Sequence, residues 1–389
     1  MQRALYGPDG YYIRHAALGG QGADYFTSPQ LHPVFGALVG RFAWLIWTAL
    51  GRPREFDLVE VGAGDGTLCA DILRWAATDE PALFEAIRYT AIETSPRLRA
   101  IGAARSAGLG STPPHWTQEL PPPRSVRGFI LANELLDALP VHLVAIQSER
   151  LLEQYVRWET EGPRLESGEP SSAAINEYFE RLGLWPGEGC TAEVNLAGVR
   201  LAGQLASALD RGALLLVDYG YPAELLYAPH RRAGTLLCYR GHRVSSDPLR
   251  DVGQQDITTH VDFTSVARAG EAEGLSTACL ISQAQLLDLL GLPLYRGQLR
   301  SASTTPAEQD AGARALAALV DPEGLGAIMA LAQTRGCDLG TIEHSARSLP
   351  QPRWQPPLPT ERMRLIDPSS VDTGDLRRLW EEMAATDDA

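Results

Sequence analysis

Residues 58–76 read LVEVGAGDGTLCADILRWA, an apolar stretch followed by three glycines at alternate positions and then by an amphipathic helical pattern. Glycine-rich backbone between a strand and a helix is typical of loops that approach a ligand closely. The glycines, Gly62, Gly64 and Gly66, give GxGxG, and Thr67 stands where a dinucleotide-binding GxGxxG loop has its last glycine. The stretch therefore predicts a strand, a ligand-binding loop and a helix.

The composition excludes several other sites. The 34 basic residues of this 389-residue chain are all arginine, so a GxxxxGK[ST] phosphate loop, a Schiff-base lysine and a lysine general base are ruled out. A net charge of −14 argues against broad contact with a phosphate backbone. We therefore expect no nucleic-acid partner.

Two acids narrow the choice of ligand. Glu60 precedes the first glycine by two residues, and Glu93 closes the next predicted strand, where an acid can accept the ribose hydroxyls of a nucleoside. A further acid before the glycines suits a cationic ligand and would repel a pyrophosphate. S-adenosylmethionine offers a ribose, an ammonium and a sulfonium without phosphate, and the pattern resembles that of class I methyltransferases. The predicted cofactor-binding residues are Glu60, Gly62, Ala63, Gly64, Gly66, Glu93, Thr94 and Asn133.

Short strands alternate with helices along the first half of the chain, which favours a doubly wound parallel sheet. We expect an α/β, Rossmann-like class I methyltransferase fold, mostly parallel, with an inserted subdomain near the substrate. The predicted strands are 56–61, 89–92, 128–132 and 213–218, and the predicted helices include 32–50, 67–77 and 96–107. The predicted units are a lead segment with a helix capping the active site (1–52), the core (53–350) with insertions at about 141–200 and 221–275, and a Pro-rich tail with a short helix (351–389).

The fourth predicted strand leads into ILANELLDALPVHLV, residues 130–144. Ligands of doubly wound sheets bind at the carboxyl ends of the strands, so Asn133, Glu134 and Asp137 are candidates for the reaction face. A second interpretation is a helix start, in which Asn133 is the N-cap and the acids complement the helix dipole. The residues alone leave both interpretations open.

Five sequence blocks occur in an order that resembles the MidA-like methyltransferase family. The resemblance runs from about Leu5 to about Leu331. The blocks are GYYIRHAALGGQGADYFTSPQLHPVFG (10–36), VEVGAGDGTL (59–68), NELLDALPV (133–141), LLVDYGYPAELLY (215–227) and YRGHRVSSDPLRDVGQQDITTHVDF (239–263).

The resemblance implies S-adenosylmethionine dependence and, as in the family's mitochondrial complex I assembly member, symmetric dimethylation of an arginine in a respiratory-complex subunit. The chain departs from the family pattern at Ala23 and Gln30, in the TSPQ block, and in 324–332, where a lysine is lost. On the basis of the resemblance, we expect methyl transfer to an arginine of a partner protein. The alternatives are a small-molecule N- or O-methyltransferase and a non-catalytic assembly factor that binds S-adenosylmethionine.

An arginine acceptor needs carboxylates, because a guanidinium is planar, stays protonated and is recognised by forked acids. Glu134 and Asp137, three residues apart at a helix start, are the first candidates for catalysis. Asp24 in the TSP block is a further catalytic candidate, and Asp218 is expected near the pocket mouth. His260 is a candidate proton acceptor oriented by a neighbouring carboxylate, with a purely structural histidine as the alternative.

The remaining expectations concern location and assembly. The five cysteines show no CxxC and no histidine at metal spacing, which favours reduced thiols and no metal site. The start of the sequence has no secretory pattern, and no window of 18 residues stays apolar. We therefore expect a cytoplasmic protein without membrane insertion, and a homodimer is a possible assembly.

Overall fold

The computed structural model describes residues 1–14, 27–241, 243–301, 305–340, 346–347 and 349–355. The helices are α1 Gln2–Tyr6, α2 Tyr11–Arg14, α3 Ser28–Leu31, α4 Val34–Ala49, α5 Thr67–Asp79, α6 Pro81–Ala86, α7 Pro96–Ser106, α8 Ala173–Leu182, α9 Leu196–Ala208, α10 Ala223–Leu226, α11 Phe263–Ala272, α12 Gln283–Leu289, α13 Leu292–Ser301 and α14 Pro306–Ala318. A short 3-10 helix covers Leu325–Ala327.

The strands are β1 Phe56–Val61, β2 Ile87–Ile92, β3 His115–Thr117, β4 Val126–Asn133, β5 His142–Gln147, β6 Arg150–Glu159, β7 Gly162–Gly168, β8 Thr191–Val194, β9 Leu209–Asp218, β10 Gly220–Tyr221, β11 Leu237–Arg240, β12 Arg243–Ser245, β13 Asp256–Thr258, β14 Val261–Asp262, β15 Ser276–Ser282 and β16 Met329–Arg335. Most predicted elements are present, with ends that differ by a few residues.

The main sheet has the order β3-β2-β1-β4-β9-β16-β15 within the described residues. Its strands run parallel except β16, which is antiparallel to both of its neighbours. One face carries a core shared with α4 and α5, and the other carries a core shared with α9 and α11. This arrangement confirms the expected doubly wound, mostly parallel fold.

The predicted lead segment divides between two places. Helix α4 is buried along almost its whole length and lies in the main core, where the Phe42 ring is 5.5 Å from that of Phe129. An all-round apolar helix must be covered on every side, which explains this position. Helices α1 and α2 instead pack in a small separate core with Cys238 and Ile257.

Residues within the predicted insertion form sheets outside the main one. One sheet has the strand order β7-β6-β5-β8 and packs on α8. Another has the order β12-β11-β13. Helices α9 and α11 fall within or at the edge of the predicted insertion, yet their apolar faces cover the main sheet. The tail beyond residue 355, with its predicted helix, lies outside the described residues.

Two further findings concern sites and membranes. Within the described ranges, no set of three or more His, Cys, Asp or Glu side chains is grouped as the ligands of a metal would be. None of the helices described here combines the length and the apolar content needed to cross a bilayer.

Candidate functional site

The glycine loop follows β1 and is fixed to the end of β2. The amides of Gly62 and Ala63 both donate to the Ile92 carbonyl, at 2.9 and 3.0 Å. Gly62, Gly64 and Gly66 have φ values of 76°, 54° and 75°, a region that disfavours residues with a Cβ. The alternating glycines are therefore required by the backbone of the loop itself.

Gly66 also sets the packing of the helix that follows. It is the N-cap of α5, and a Cβ atom placed on it would lie 2.8 Å from the Cα atom of Gly102 in α7. In dinucleotide-binding loops the last glycine of GxGxxG provides close packing of this kind. Gly66 provides close backbone packing here, one position earlier, which explains why Thr67 is tolerated.

Glu93 directly follows β2 and contacts the glycine loop. One carboxylate oxygen accepts from the Gly64 amide at 2.9 Å, and the other accepts from the Ser95 amide at 2.8 Å. Burial raises the pKa of this carboxyl group. Thr94, the next residue, is exposed, and its backbone carbonyl accepts from Arg99 at 3.4 Å. Glu93 therefore contacts the glycine loop, and Thr94 is the residue that follows it in the chain.

Glu60 lies at the end of β1, with a side chain that is only 4% exposed. The Tyr89 hydroxyl donates to it at 2.6 Å. Burial, together with nearby acids, among them Asp65 and Glu93, raises the pKa of Glu60 to about 8. A buried acid among other acids, with a neutral hydroxyl as its partner, suits a cationic ligand.

Glu134 begins the turn after β4 in a strained conformation, with φ at 49°. Its amide donates to the Val217 carbonyl at 2.8 Å, and its carboxylate accepts from the Ser28 amide and from the Asn133 side chain, both at 3.0 Å. Burial raises the pKa of Glu134 to about 8. The strain and the contacts hold this acid at the carboxyl end of the sheet.

Residues 134–140 form a turn, so the helix start expected at NELLDALP is wrong. The cause is Asp218 at the end of β9, whose buried carboxylate accepts from the amides of Leu135 and Leu136 at 3.0 and 2.7 Å. Pro140 further disfavours helical backbone before it. Asp218 is thus buried beneath the turn as its anchor.

Asp137 is buried at the far end of the same turn, 6% exposed. Burial, followed by the neighbouring Asp218 and Asp256, raises its pKa well above the usual range. Its carbonyl accepts from the Thr259 amide at 3.0 Å, which ties the turn to the strand β13 region. The turn therefore carries two acids, Glu134 and Asp137, that are both destabilised in their charged forms.

The N-terminal helices border these acids through two tyrosines that were not among the predicted site residues. The Tyr6 hydroxyl donates to the Ala138 carbonyl at 3.0 Å, and the Tyr12 hydroxyl donates to Asp256 at 2.9 Å. Asp256 is itself buried. Tyr12 belongs to the first block of the family resemblance, which was the available signal for its position, whereas Tyr6 precedes that block.

Gln30, a departure from the family pattern, has a structural role. With Thr27 it forms a capping box at the start of α3, where its side-chain oxygen accepts from the Thr27 amide at 3.3 Å. Glutamine and glutamate serve equally in this motif. The change from glutamate therefore preserves the segment whose Ser28 amide contacts Glu134.

His260 follows β13 by two residues, and its ring centre lies 5.3 Å from that of Tyr221. Burial, and then Arg231, lower its pKa to about 3, so the imidazole is neutral and a weak base. Asp262, one of the acids expected to orient the ring, instead caps α11 and accepts from the Tyr178 hydroxyl at 2.7 Å. Asp24 lies outside the described residues.

Comparisons with known proteins agree on one class of enzyme. A family model described as "Putative S-adenosyl-L-methionine-dependent methyltransferase" matches residues 38–281. The chain is 30% identical over 360 residues to protein arginine methyltransferase NDUFAF7, mitochondrial, of Danio rerio, covering 84% of this chain and 80% of the relative. The Homo sapiens protein of the same name is 28% identical over 357 residues, covering 84% and 76%.

A solved structure is similar along nearly the whole chain. It is that of a Burkholderia thailandensis protein bound to S-adenosyl-homocysteine, 30% identical, with a TM-score of 0.75 and coverage of 89% of this chain and 88% of the other. The curated relatives are mitochondrial proteins, which contradicts the cytoplasmic location expected from the sequence.

Proposed function

Because the chain belongs to this family of S-adenosyl-L-methionine-dependent methyltransferases, we propose that it methylates an arginine side chain of a partner protein. The observation that supports an arginine acceptor is the pair of acids Glu134 and Asp137 on the turn after β4. This turn borders the glycine loop: a Cβ atom on Gly62 would lie 2.9 Å from Leu135. This proximity of the turn to the loop supports a role for the two acids near the predicted cofactor site.

The residues around the loop fit S-adenosylmethionine. The left-handed glycines allow the backbone to approach a nucleoside, and we assign Glu93 to the ribose hydroxyls. We assign Glu60, buried among acids, to the ammonium group. When bound, the cofactor supplies a methyl group on a positively charged sulfur.

Glu134 and Asp137 suit a cationic acceptor for an electrostatic reason. The pKa values of both carboxyl groups are raised by burial and by other acids, and no cation is among the described residues that cause either shift. A guanidinium would supply the missing positive charge and would hold both acids in their ionised forms. The methylated nitrogen must lose a proton, and an ionised carboxylate can accept it.

The named relatives support a protein substrate, because they are called protein arginine methyltransferases. An acceptor that resembles a respiratory-complex subunit is implied by the family resemblance and stays a prediction. A small-molecule acceptor is the alternative that an experiment must separate from it.

The test is transfer of labelled methyl groups from S-adenosylmethionine into proteins of a cognate lysate depleted of this gene product. We expect label in at least one protein, with mass spectrometry locating one or two added methyl groups on arginine. Label that appears only in small molecules, or on residues other than arginine, would contradict the proposal. A heat-inactivated sample of the same protein provides the background.

The assignment of Glu60 makes a prediction in which two readouts separate. Glu60→Gln removes the charge that we assign to the cofactor ammonium, so the affinity for S-adenosylmethionine should fall by about tenfold, the usual scale for one charge-assisted contact. Calorimetric titration measures this fall. An affinity within experimental error of the wild type would refute the assignment.

Glu60→Gln should weaken cofactor binding but should stabilise the cofactor-free protein, relative to wild type, as the pH rises. The folded-state pKa of Glu60, about 8, lies above the unfolded value near 4.5. Its contribution to stability is therefore fully present below about pH 4.5 and is lost as the pH rises towards 8. Glutamine cannot ionise, so the melting temperature of the cofactor-free variant, relative to wild type, should increase from pH 5 to pH 8.

A further inference from the structure

The hairpin of β6 and β7 carries an apolar face that nothing covers among the described residues. Val156, Trp158 and Leu165 are 59%, 75% and 44% exposed. In the register of the hairpin Val156 is opposite Leu165, and Trp158 is opposite Pro163, so these side chains share one face. Exposed apolar faces of this kind mark interaction surfaces.

The outer edge of the hairpin is also available for pairing. Among the described strands, β7 is an edge strand with β6 as its neighbour. A two-residue loop closes the hairpin between Glu159 and Gly162, which makes that pair hydrogen-bonded. The backbone groups of residues 163, 165 and 167 consequently point away from β6, towards a further strand.

The sequence of β7, GPRLESG, is self-complementary in an antiparallel arrangement. A two-fold axis at Leu165 places Leu165 opposite its own copy and Arg164 opposite Glu166 of the second copy. Pro163 falls opposite Ser167, where its carbonyl can accept from the Ser167 amide. The missing N–H of each proline therefore leaves four hydrogen bonds of the central ladder, two between the Leu165 residues and one from each Ser167 amide.

This arrangement also extends the ion pairs of the single hairpin. Arg157 and Arg164 lie directly opposite each other, and Arg164 already contacts Glu161 at 2.5 Å and Glu159 at 3.5 Å. Glu166 already contacts Arg157 at 3.0 Å. Across the two-fold axis, Glu166 of the second copy would lie opposite Arg164 and join the two arginines in one alternating network.

We propose that two copies of this chain form a dimer through antiparallel pairing of their β7 strands, centred on Leu165. Pairing would extend the β7-β6-β5-β8 sheet across the axis and set Val156 and Leu165 of each copy in one continuous apolar row. A second copy fits this edge better than an anionic membrane does, because the hairpin tip is itself acidic at Glu159 and Glu161. The dimer goes beyond the proposed function and does not depend on the methyl acceptor.

Sedimentation velocity of the full chain over a wide concentration range tests the dimer. We expect a dimer for the wild type. R164E places a carboxylate opposite Glu166 of the second copy and should weaken dimerisation more than about tenfold, because like charges across an interface are strongly unfavourable. The exchanged pair R164E/E166R restores opposite charges across the axis and should restore the dimer.

The matched control is R200E, which makes the same charge change at an exposed position on α9 and should leave the dimer unchanged. A wild-type chain that is monomeric at every concentration overturns the proposal, whether or not it captures another protein or a vesicle. A dimer that R164E leaves intact overturns it too, as does an R164E/E166R protein that stays monomeric. Circular dichroism of each variant confirms that the fold is retained.

Discussion

Replacing Glu134 by glutamine, or Asp137 by asparagine, should slow methyl transfer by about 10³-fold, within the range that a positioned acid–base group contributes. Each substitution keeps the size of the side chain but removes the negative charge that we assign to the guanidinium. Glutamine can still accept from the Ser28 amide, as Glu134 does. The loss should therefore appear in the transfer of label from S-adenosylmethionine to the acceptor protein, measured under single-turnover conditions.

The affinity for S-adenosyl-homocysteine distinguishes a catalytic effect from a misfolded site. We expect it to stay within about threefold of the wild type in both variants, less than half the free energy of a tenfold change. The control Glu119→Gln removes a charge from an exposed acid and should change neither quantity. Transfer at the wild-type rate in both acid variants would exclude these residues from the reaction.

Substituting Gly66 by alanine should weaken binding of S-adenosyl-homocysteine by about 100-fold, equivalent to nearly 3 kcal/mol. The residue has φ at 75°, and the added Cβ would lie 2.8 Å from the Cα atom of Gly102. Backbone cannot yield as a flexible side chain does, so α5 and α7 must move apart and the loop must distort. Calorimetric titration and thermal melting together measure the two consequences, and both should be unfavourable.

Gly203→Ala is the matched control. Gly203 lies within α9, where a Cβ atom would meet nothing within 4 Å. Alanine is favoured over glycine in a helix interior by about 1 kcal/mol, so this variant should be slightly more stable than wild type. Its affinity for S-adenosyl-homocysteine should equal that of wild type. If Gly66→Ala behaved in the same way, the loop geometry would not be what constrains residue 66.

Local patterns predicted the sheet and the cofactor loop because their causes lie within short segments. Strand β1 was predicted with the bounds that the structure has, since an apolar run before a glycine loop is specific. The sequence did not reveal the antiparallel strand β16, because its pairing with β9 joins segments more than a hundred residues apart. The short apolar run of β16 has no periodic pattern that would indicate which strand it pairs with.

The candidate site likewise combines features that local sequence predicts with features that depend on long-range contacts. The sequence proposed Glu134 and Asp137 by their position after the fourth strand, but it expected a helix to hold them. Asp218 decides otherwise, because its carboxylate takes the amides of Leu135 and Leu136 that a helix would have left for its own first turn. These contacts join residues 83 and 82 positions apart, so no pattern in the local sequence indicates them.

By itself, the sequence determined the glycine loop and the class of cofactor and proposed the two acids, because each depends on residue types at short spacings. Only the tertiary structure decided which groups border those acids. Tyr6 and Tyr12 reach the turn and Asp256 from the start of the chain, and Ser28 reaches Glu134 across 106 residues. The physical reason is that burial and pKa depend on the neighbours that folding brings together, and a linear pattern does not contain them.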